Sequence, residues 1–276
     1  MKIKLVADSS ANIHPNIDFP VTRVPLKIVT SQKEYVDTEA LDVLEMMQDL
    51  RAYRGKSGTA CPGMGEWMES FGDADRVYGV AITSNLSGCY GAGNAAAQAY
   101  MEEHPQAKVF ILDSLSTGPE MQLILEKFHE LVEQGKEFEQ IREEVIDYHK
   151  HTHLLFSLGS LNNLARNGRV NPAVAKAAGL LGIRVVGRAS SEGTLEPMHK
   201  CRGEKKALEQ ILVLMKEHGF AGGKVRLTHS NNLHGAQELA GMIREHYPDC
   251  DIDIAHNRGL CCFYAEEGSL LVGYEG

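Results

Sequence analysis

Short β-branched runs alternate with longer amphipathic runs along this chain, and that alternation limits the fold more than any other feature. Candidate strands cover Ile3–Ala7, Val24–Val29, Val77–Ile82, Val109–Leu112, Leu154–Ser157, Arg184–Gly187, Val225–Thr228 and Ile252–Ala255. Helical spacing covers Thr38–Tyr53, Gly88–Glu102, Pro119–Gln134, Phe138–His149, Gly203–His218 and Leu233–His246. Such alternation builds βαβ units around parallel sheets. The expected class is α/β with two domains. The first is a mostly parallel sheet flanked by helices; the second is an α/β domain with a mixed sheet. The 276 residues suffice for both, and we expect the division at residues 1–152 and 153–276.

Several strands run into the same chemistry. Ile3–Ala7 leads to Asp8-Ser9-Ser10, Val77–Ile82 to Thr83-Ser84-Asn85-Leu86-Ser87-Gly88, Val109–Leu112 to Asp113-Ser114, and Val225–Thr228 to His229-Ser230-Asn231-Asn232. Ser, Asp and Asn are good helix N-caps, which explains any one of these alone. Their recurrence fits a ligand crevice beyond the carboxyl ends of parallel strands.

The formal net charge of −9 argues against a nucleic-acid partner. The basic stretches Arg184–Arg202 and Lys200–Lys206 are interrupted and read as solvated faces. No run approaches the roughly 20 apolar residues of a membrane span, and Asp8 interrupts the N-terminal apolar run too early for a signal peptide. The six cysteines form no CxxC pair, so reduced thiols and a cytoplasmic location are expected.

Two loops are built to hold an anion. Thr83–Tyr90 joins a strand to a Gly- and Ala-rich helix whose first amides are unpaired donors at a positive dipole end. Ser87 adds a hydroxyl there, with Ser84 and Gly88 beside it. Lys56–Gly63, which includes Ser57 and Thr59, reads as a tight loop before the helix containing Glu66 and Trp67. Neither loop matches a nucleotide-binding glycine motif or a hydrolase nucleophile elbow. Cys61 and Cys89 lie on these loops but have no histidine placed to activate them, so both read as small fillers. His149, His151 and His153 share one face if extended, which leaves open a metal-assisted hydrolase.

Over nearly its whole length the chain resembles the DegV family of bacterial fatty-acid-binding proteins. Asp8-Ser9-Ser10 is similar to the family's D-S-S/T opening, and Lys56–Gly63 to its K/R-T-S-Q-P-S-P-G loop. Thr83–Tyr90 is similar to S-S-x-L-S-G-T-Y, and Leu161–Val170, ending Asn167-Gly168-Arg169-Val170, to L-x-x-L-x-x-G-G-R-I. Leu181–Val186 and Lys200–Gly203 agree more loosely with L-x-I/V-K-P-I/L and K-x-R-G/T. The resemblance implies two α/β domains holding a long-chain fatty acid, without catalysis by this chain. It implies no cofactor, and delivery of the acid to a separate ATP-dependent fatty acid kinase. Ser87 and Ser57 then fall at carboxylate-binding positions, with Thr59, Ser84, Gly88, Arg169 and Tyr264 around them. The tail goes to an apolar tunnel in the second domain or between the domains, shaped by side chains such as Met64, Trp67, Phe156 and Leu180. Transient membrane contact would serve ligand exchange.

Three departures stand out. Gly58, Thr59 and Ala60 replace the family's wording, Asn167 replaces a glycine, and the C-terminal H-x-G-P-G gives way to Tyr264-Ala265-Glu266-Glu267-Gly268. Burial supplies the affinity in such a design. At about 0.8 kcal/mol per CH₂, a chain of about sixteen carbons gains roughly 12 kcal/mol before ordering costs. A carrier of another anionic lipid, using Arg184 and Arg202, is a further possibility.

Overall fold

The computed structural model describes residues 1–13, 17–178 and 182–276. The N-terminal half contains β1 (Ile3–Asp8), β2 (Thr22–Val24), β3 (Lys27–Thr30), β4 (Glu34–Val36), α1 (Val43–Ala52), β5 (Ser57–Ala60), α2 (Met64–Phe71), β6 (Arg76–Ala81), α3 (Cys89–Glu103), β7 (Lys108–Asp113), α4 (Pro119–Glu133) and α5 (Phe138–His149). The remainder contains β8 (Thr152–Leu158), α6 (Asn162–Arg166), α7 (Pro172–Ala178), β9 (Ile183–Ala189), β10 (Leu195–Arg202), α8 (Glu204–Glu217), β11 (Val225–His229), α9 (Leu233–His246), β12 (Ile252–His256), α10 (Gly259–Ala265) and β13 (Leu270–Glu275).

Two α/β domains result, one around each main sheet. The first sheet, in order β2-β1-β6-β7, is parallel throughout. The second, β10-β9-β8-β13-β11-β12, is mixed: only the β11–β12 pair is parallel. A small antiparallel sheet, β4-β3-β5, lies apart from both. Strands buried on both faces read as apolar runs, and β6 buries five consecutive residues, Val77–Ala81.

The expected strand Val24–Val29 divides at Pro25. Proline offers no N–H to a ladder, so β2 ends there and β3 joins a different sheet. The helix expected from Thr38 begins at Val43, where the Asp42 side chain accepts from the Glu45 amide at 3.0 Å. Lys56–Gly63 is not loop throughout, since Ser57–Ala60 pairs with β3 as β5. The basic stretch Lys200–Lys206 is shared between the end of β10 and the start of α8. Leu180 and Leu181 lie outside the described residues.

Close approaches demand glycine at a few sites. A Cβ at Gly93 would come within 3.2 Å of the Trp67 ring, closer than an ordinary van der Waals contact, so glycine there lets α3 seat tightly against α2. At Gly273 a Cβ would stand 2.5–2.7 Å from backbone atoms of Pro119 and Glu120, where α4 crosses β13. Gly273→Ala is therefore expected to destabilise the fold by about 2–3 kcal/mol. Gly91→Ala, on the exposed face of α3 with nothing within 4 Å, should stabilise it by about 0.5–1 kcal/mol. Urea midpoints of the two variants would therefore move in opposite directions; a shared direction would contradict this packing.

Candidate functional site

Asp8, at the end of β1, organises the strand ends instead of facing a ligand. Fully buried, it accepts from the Ile82 amide at 2.7 Å and from the Ser10 amide at 3.0 Å. Burial pushes its carboxyl up to about 6, against an ordinary 3.8, although the donors pull the other way. The folded chain then keeps a proton that the unfolded chain has already released. Stability held through protonated Asp8 is full below about pH 4 and is lost as pH rises through 6, on the order of 3 kcal/mol in all. Asp8→Asn has no such slope, so its stability relative to the native chain should rise by that amount between pH 4 and 7. Parallel urea curves for the two proteins would contradict it.

From Ile82 the chain turns across the sheet edge. The Thr83 amide donates to Ser116 O at 2.9 Å, and the Leu86 and Ser87 amides both donate to Thr83 O at 3.2 Å. The Thr83 hydroxyl donates to Gly193 O at 2.8 Å, and Asn85 Nδ2 donates to Glu192 O. This loop is thereby tied to the β9–β10 turn of the second domain. It leaves Ser87 at the start of α3, which has no side-chain cap and no acid in its first turn. The Ser87 hydroxyl takes the Cys89 amide at 3.3 Å and donates to Cys89 Sγ at 3.2 Å. Burial pushes the Cys89 thiol far up, which suits a filler.

The opposite wall comes from three other elements. On β5, Thr59 Oγ1 lies 2.7 Å from the Tyr264 hydroxyl. Tyr264 rides on α10, whose first amides are held by buried Asp37: Gly259 N and Leu260 N donate to its two carboxylate oxygens at 2.8 and 2.9 Å. Asn163 on α6 joins α10 as well, through its amide to Glu266 Oε1 at 3.0 Å and its Nδ2 to Phe263 O at 2.7 Å. Arg169 then follows a turn at Gly168, whose φ of +75° suits glycine. Its guanidinium donates to Leu86 O at 3.3 Å and Asn167 O at 2.6 Å and lies 5.7 Å from the centre of the Tyr264 ring. Burial raises the Tyr264 phenol, which stays a neutral donor.

These groups stand at one cavity. About 820 Å³ of space, its opening included, is lined by Thr59, Leu86, Ser87, Arg169 and Tyr264 together with apolar side chains from both domains. Leu26 and Ile82 come from the first half; Leu154, Phe156, Leu158, Leu164, Leu195 and Leu271 come from the second. The lining from both halves fits the between-domain placement of the tail rather than one within the second domain alone.

Of the residues picked from sequence, Ser87, Thr59, Arg169 and Tyr264 line the cavity. Ser57 does not: it pairs with Thr30 two residues back along β5, and Thr59 takes the cavity position. Ser84 and Gly88 are exposed beside Ser87 and are not among the lining residues. Phe156 lines the cavity, whereas Trp67 is buried against Gly93 and Met64 is exposed. Arg184 is held by Gly268 O at 2.7 Å and Glu204 at 2.8 Å, away from the lining, and Arg202 is exposed. His149, His151 and His153 straddle a helix end and a strand start. Among the described residues no three His, Cys, Asp or Glu side chains gather as a metal-binding group. Helix α10, with cavity-lining Leu260, Cys261 and Ala265, went unrecognised in the sequence. Its one signal in the sequence is the short continuous apolar run Leu260–Tyr264, which periodicity alone does not assign to a helix.

Two sequence departures are accommodated locally. Asn167 has φ −100°, which needs no glycine, and its Nδ2 donates to Asn163 O at 2.9 Å. Glu266 falls where the resemblance puts a glycine, and it keeps a left-handed φ of +59°. Such a conformation costs a non-glycine residue about 1–3 kcal/mol, and the bond to the Asn163 amide offsets part of that.

This constellation of an apolar cavity between two α/β domains, with hydroxyls and a guanidinium at one end, defines a lipid-binding class of site. The chain belongs to the DegV family: the family model, described as "Uncharacterised protein, DegV family", matches residues 2–275. It is 39% identical to the DegV domain-containing protein spr0652 of Streptococcus pneumoniae, over 100% of this chain and 99% of that one. A DegV family protein from Eubacterium eligens, loaded with heptadecanoic acid, has 45% identity, a TM-score of 0.96 and 99% coverage of both chains. The Fatty Acid Kinase (Fak) B3 protein of Streptococcus pneumoniae, loaded with linoleic acid, has 39% identity and a TM-score of 0.96, covering 100% of this chain and 99% of that one.

Proposed function

We propose that this protein binds a long-chain fatty acid and presents it to a separate ATP-dependent fatty acid kinase. The observation that carries this is the cavity whose apolar walls meet Ser87, Thr59, Tyr264 and Arg169. The carboxylate accepts from the Ser87 and Tyr264 hydroxyls and from amides at the start of α3, beside the Arg169 charge. Thr59 orients Tyr264 through their 2.7 Å bond. Ser57 and the neighbouring Ser84 and Gly88 shape the two loops. The tail runs along Phe156, Leu154 and Leu271. The chain itself needs no nucleophile or metal, and phosphoryl transfer belongs to the partner kinase. That partner is supported by the likeness to the Fatty Acid Kinase B3 protein.

The reading also divides the chain at 152/153, supported by the passage from the parallel to the mixed sheet there. Among the described residues no helix is long and apolar enough to cross a membrane. We place the protein in the cytoplasm, in keeping with its six free thiols, with transient membrane contact for ligand exchange. Hexadecanoic acid should bind about 100-fold more tightly than hexadecanol in a fluorescent-lipid displacement assay, since hydrogen bonds to a charged group contribute about 1.5–3 kcal/mol. Equal affinities would remove carboxylate recognition from the account.

A further inference from the structure

The histidines that gather no metal line a second cavity. Glu120, His149, Lys150, His153, Arg188 and His218 are among its walls, around about 1010 Å³ of space with its opening included. It meets the acyl cavity at Leu115, Leu154 and Ala189, which line both. Strand β8 orders the two. Leu154, Phe156 and Leu158 alternate along it into the acyl cavity. Leu270, which follows α10 and its Tyr264, pairs with Ser157 beside Leu158, and Asn163 just beyond Leu158 donates to Phe263 O of α10, so the head-group end lies there. Leu154 stands four residues back, about 13 Å along the strand. The polar chamber therefore begins where the apolar cavity, followed from the carboxylate, ends.

The partition is a held conformation. Leu115 has φ +47°, a region that side chains other than glycine rarely adopt. Its amide donates to Asp113 Oδ1 at 3.2 Å, and His149 Nε2 donates to Ser114 O at 2.8 Å. A residue of the chamber thus fixes the turn that presents the wall.

The chamber's charges are mostly balanced. Arg188 pairs with Glu196 at 2.7 Å and donates to His218 Nε2 at 2.7 Å, while His218 Nδ1 donates to Leu214 O. Lys150 pairs with Asp147 at 3.2 Å. Burial, with His218 and Arg188 nearby, lowers His153, and burial raises Glu120, which accepts from the Thr152 hydroxyl. A second carboxylate gains little from such a balance. A neutral hydroxyl finds both donors and acceptors.

We propose that this chamber is a distal polar subsite, and that the ligands of this protein include long-chain acids bearing a hydroxyl at the end remote from the carboxylate. The proposal rests on the fatty-acid reading above. A dry, apolar blind end would strip such a hydroxyl of water and weaken binding roughly 30-fold or more. The full chain, freed of co-purified lipid, is titrated with 14-hydroxytetradecanoic, 16-hydroxyhexadecanoic and 18-hydroxyoctadecanoic acids and with their unsubstituted parents. At least one hydroxy acid should bind within tenfold of its parent; all three falling more than tenfold short would overturn the proposal. His153→Leu is then compared. It should weaken that hydroxy acid tenfold or more while holding the parent within twofold, whereas an equal effect on both acids, or none on either, would also overturn the proposal. Failure of every parent acid to bind would instead remove the fatty-acid reading itself.

Discussion

Replacing Arg169 by Met is expected to weaken hexadecanoic acid binding about 100-fold. The guanidinium is the cation at the cavity's polar end, and two of its nitrogens already brace Leu86 O and Asn167 O. It therefore acts twice, by charge and by holding the loop that carries Ser87. A unit pair near a protein surface attracts by up to about 4 kcal/mol at 4 Å. A net loss of about 2.7 kcal/mol corresponds to the stated factor. Methionine keeps much of the stem against Tyr264, so packing should survive. Binding is weakened without being abolished, because the buried tail supplies most of the affinity. Arg169→Lys should recover part of the loss, restoring charge without the forked contact. A titration showing less than a threefold change for Arg169→Met would remove this residue from the head-group site.

The second large effect falls on stability. Asp37→Ala should destabilise the fold by about 4 kcal/mol, since it strands the buried Gly259 and Leu260 amides that the carboxylate now accepts. The melting temperature should fall by roughly 8–16 °C. Helix α10 carries Tyr264 and lines the cavity through Leu260, Cys261 and Ala265, so ligand affinity should fall along with stability. Asp37→Asn keeps one accepting oxygen and should cost less. Gly259 belongs to the same device: a Cβ there would stand 2.6 Å from Asp37 Oδ1. Unchanged melting of Asp37→Ala would show that α10 is held by packing alone.

Much of the fold was legible because the principal strands are short apolar runs with polar ends. The helices from α3 onward through α5, and also α8 and α9, appear within a residue or two of their sequence periodicity. What escaped was set by tertiary pairing. Strands β4, β10 and β13 carry polar residues, prolines or glycines that weaken their local signal; β13 includes Gly273, needed only because α4 crosses it. The polar end of the site was half legible for the same reason. Ser87 follows a strand and precedes a helix, a local signature. Thr59 and Ser57 share one face of β5, and only the position of α10 selects Thr59. Tyr264 was placed by motif position, while the Asp37 clamp that presents it joins residues more than two hundred apart in sequence. The histidines were visible as a cluster, and the alternative reading of a helix end entering a strand there matches the end of α5 at His149 and the start of β8 at Thr152.

The most direct test is a native mass spectrum of the purified full-length chain beside the Ser87→Ala and Arg169→Met variants. The account predicts an adduct of long-chain fatty acid mass on the native protein, exchangeable for added acids of fourteen to eighteen carbons and diminished in both variants. A native protein that carries no such adduct and takes up none of the added acids would contradict it.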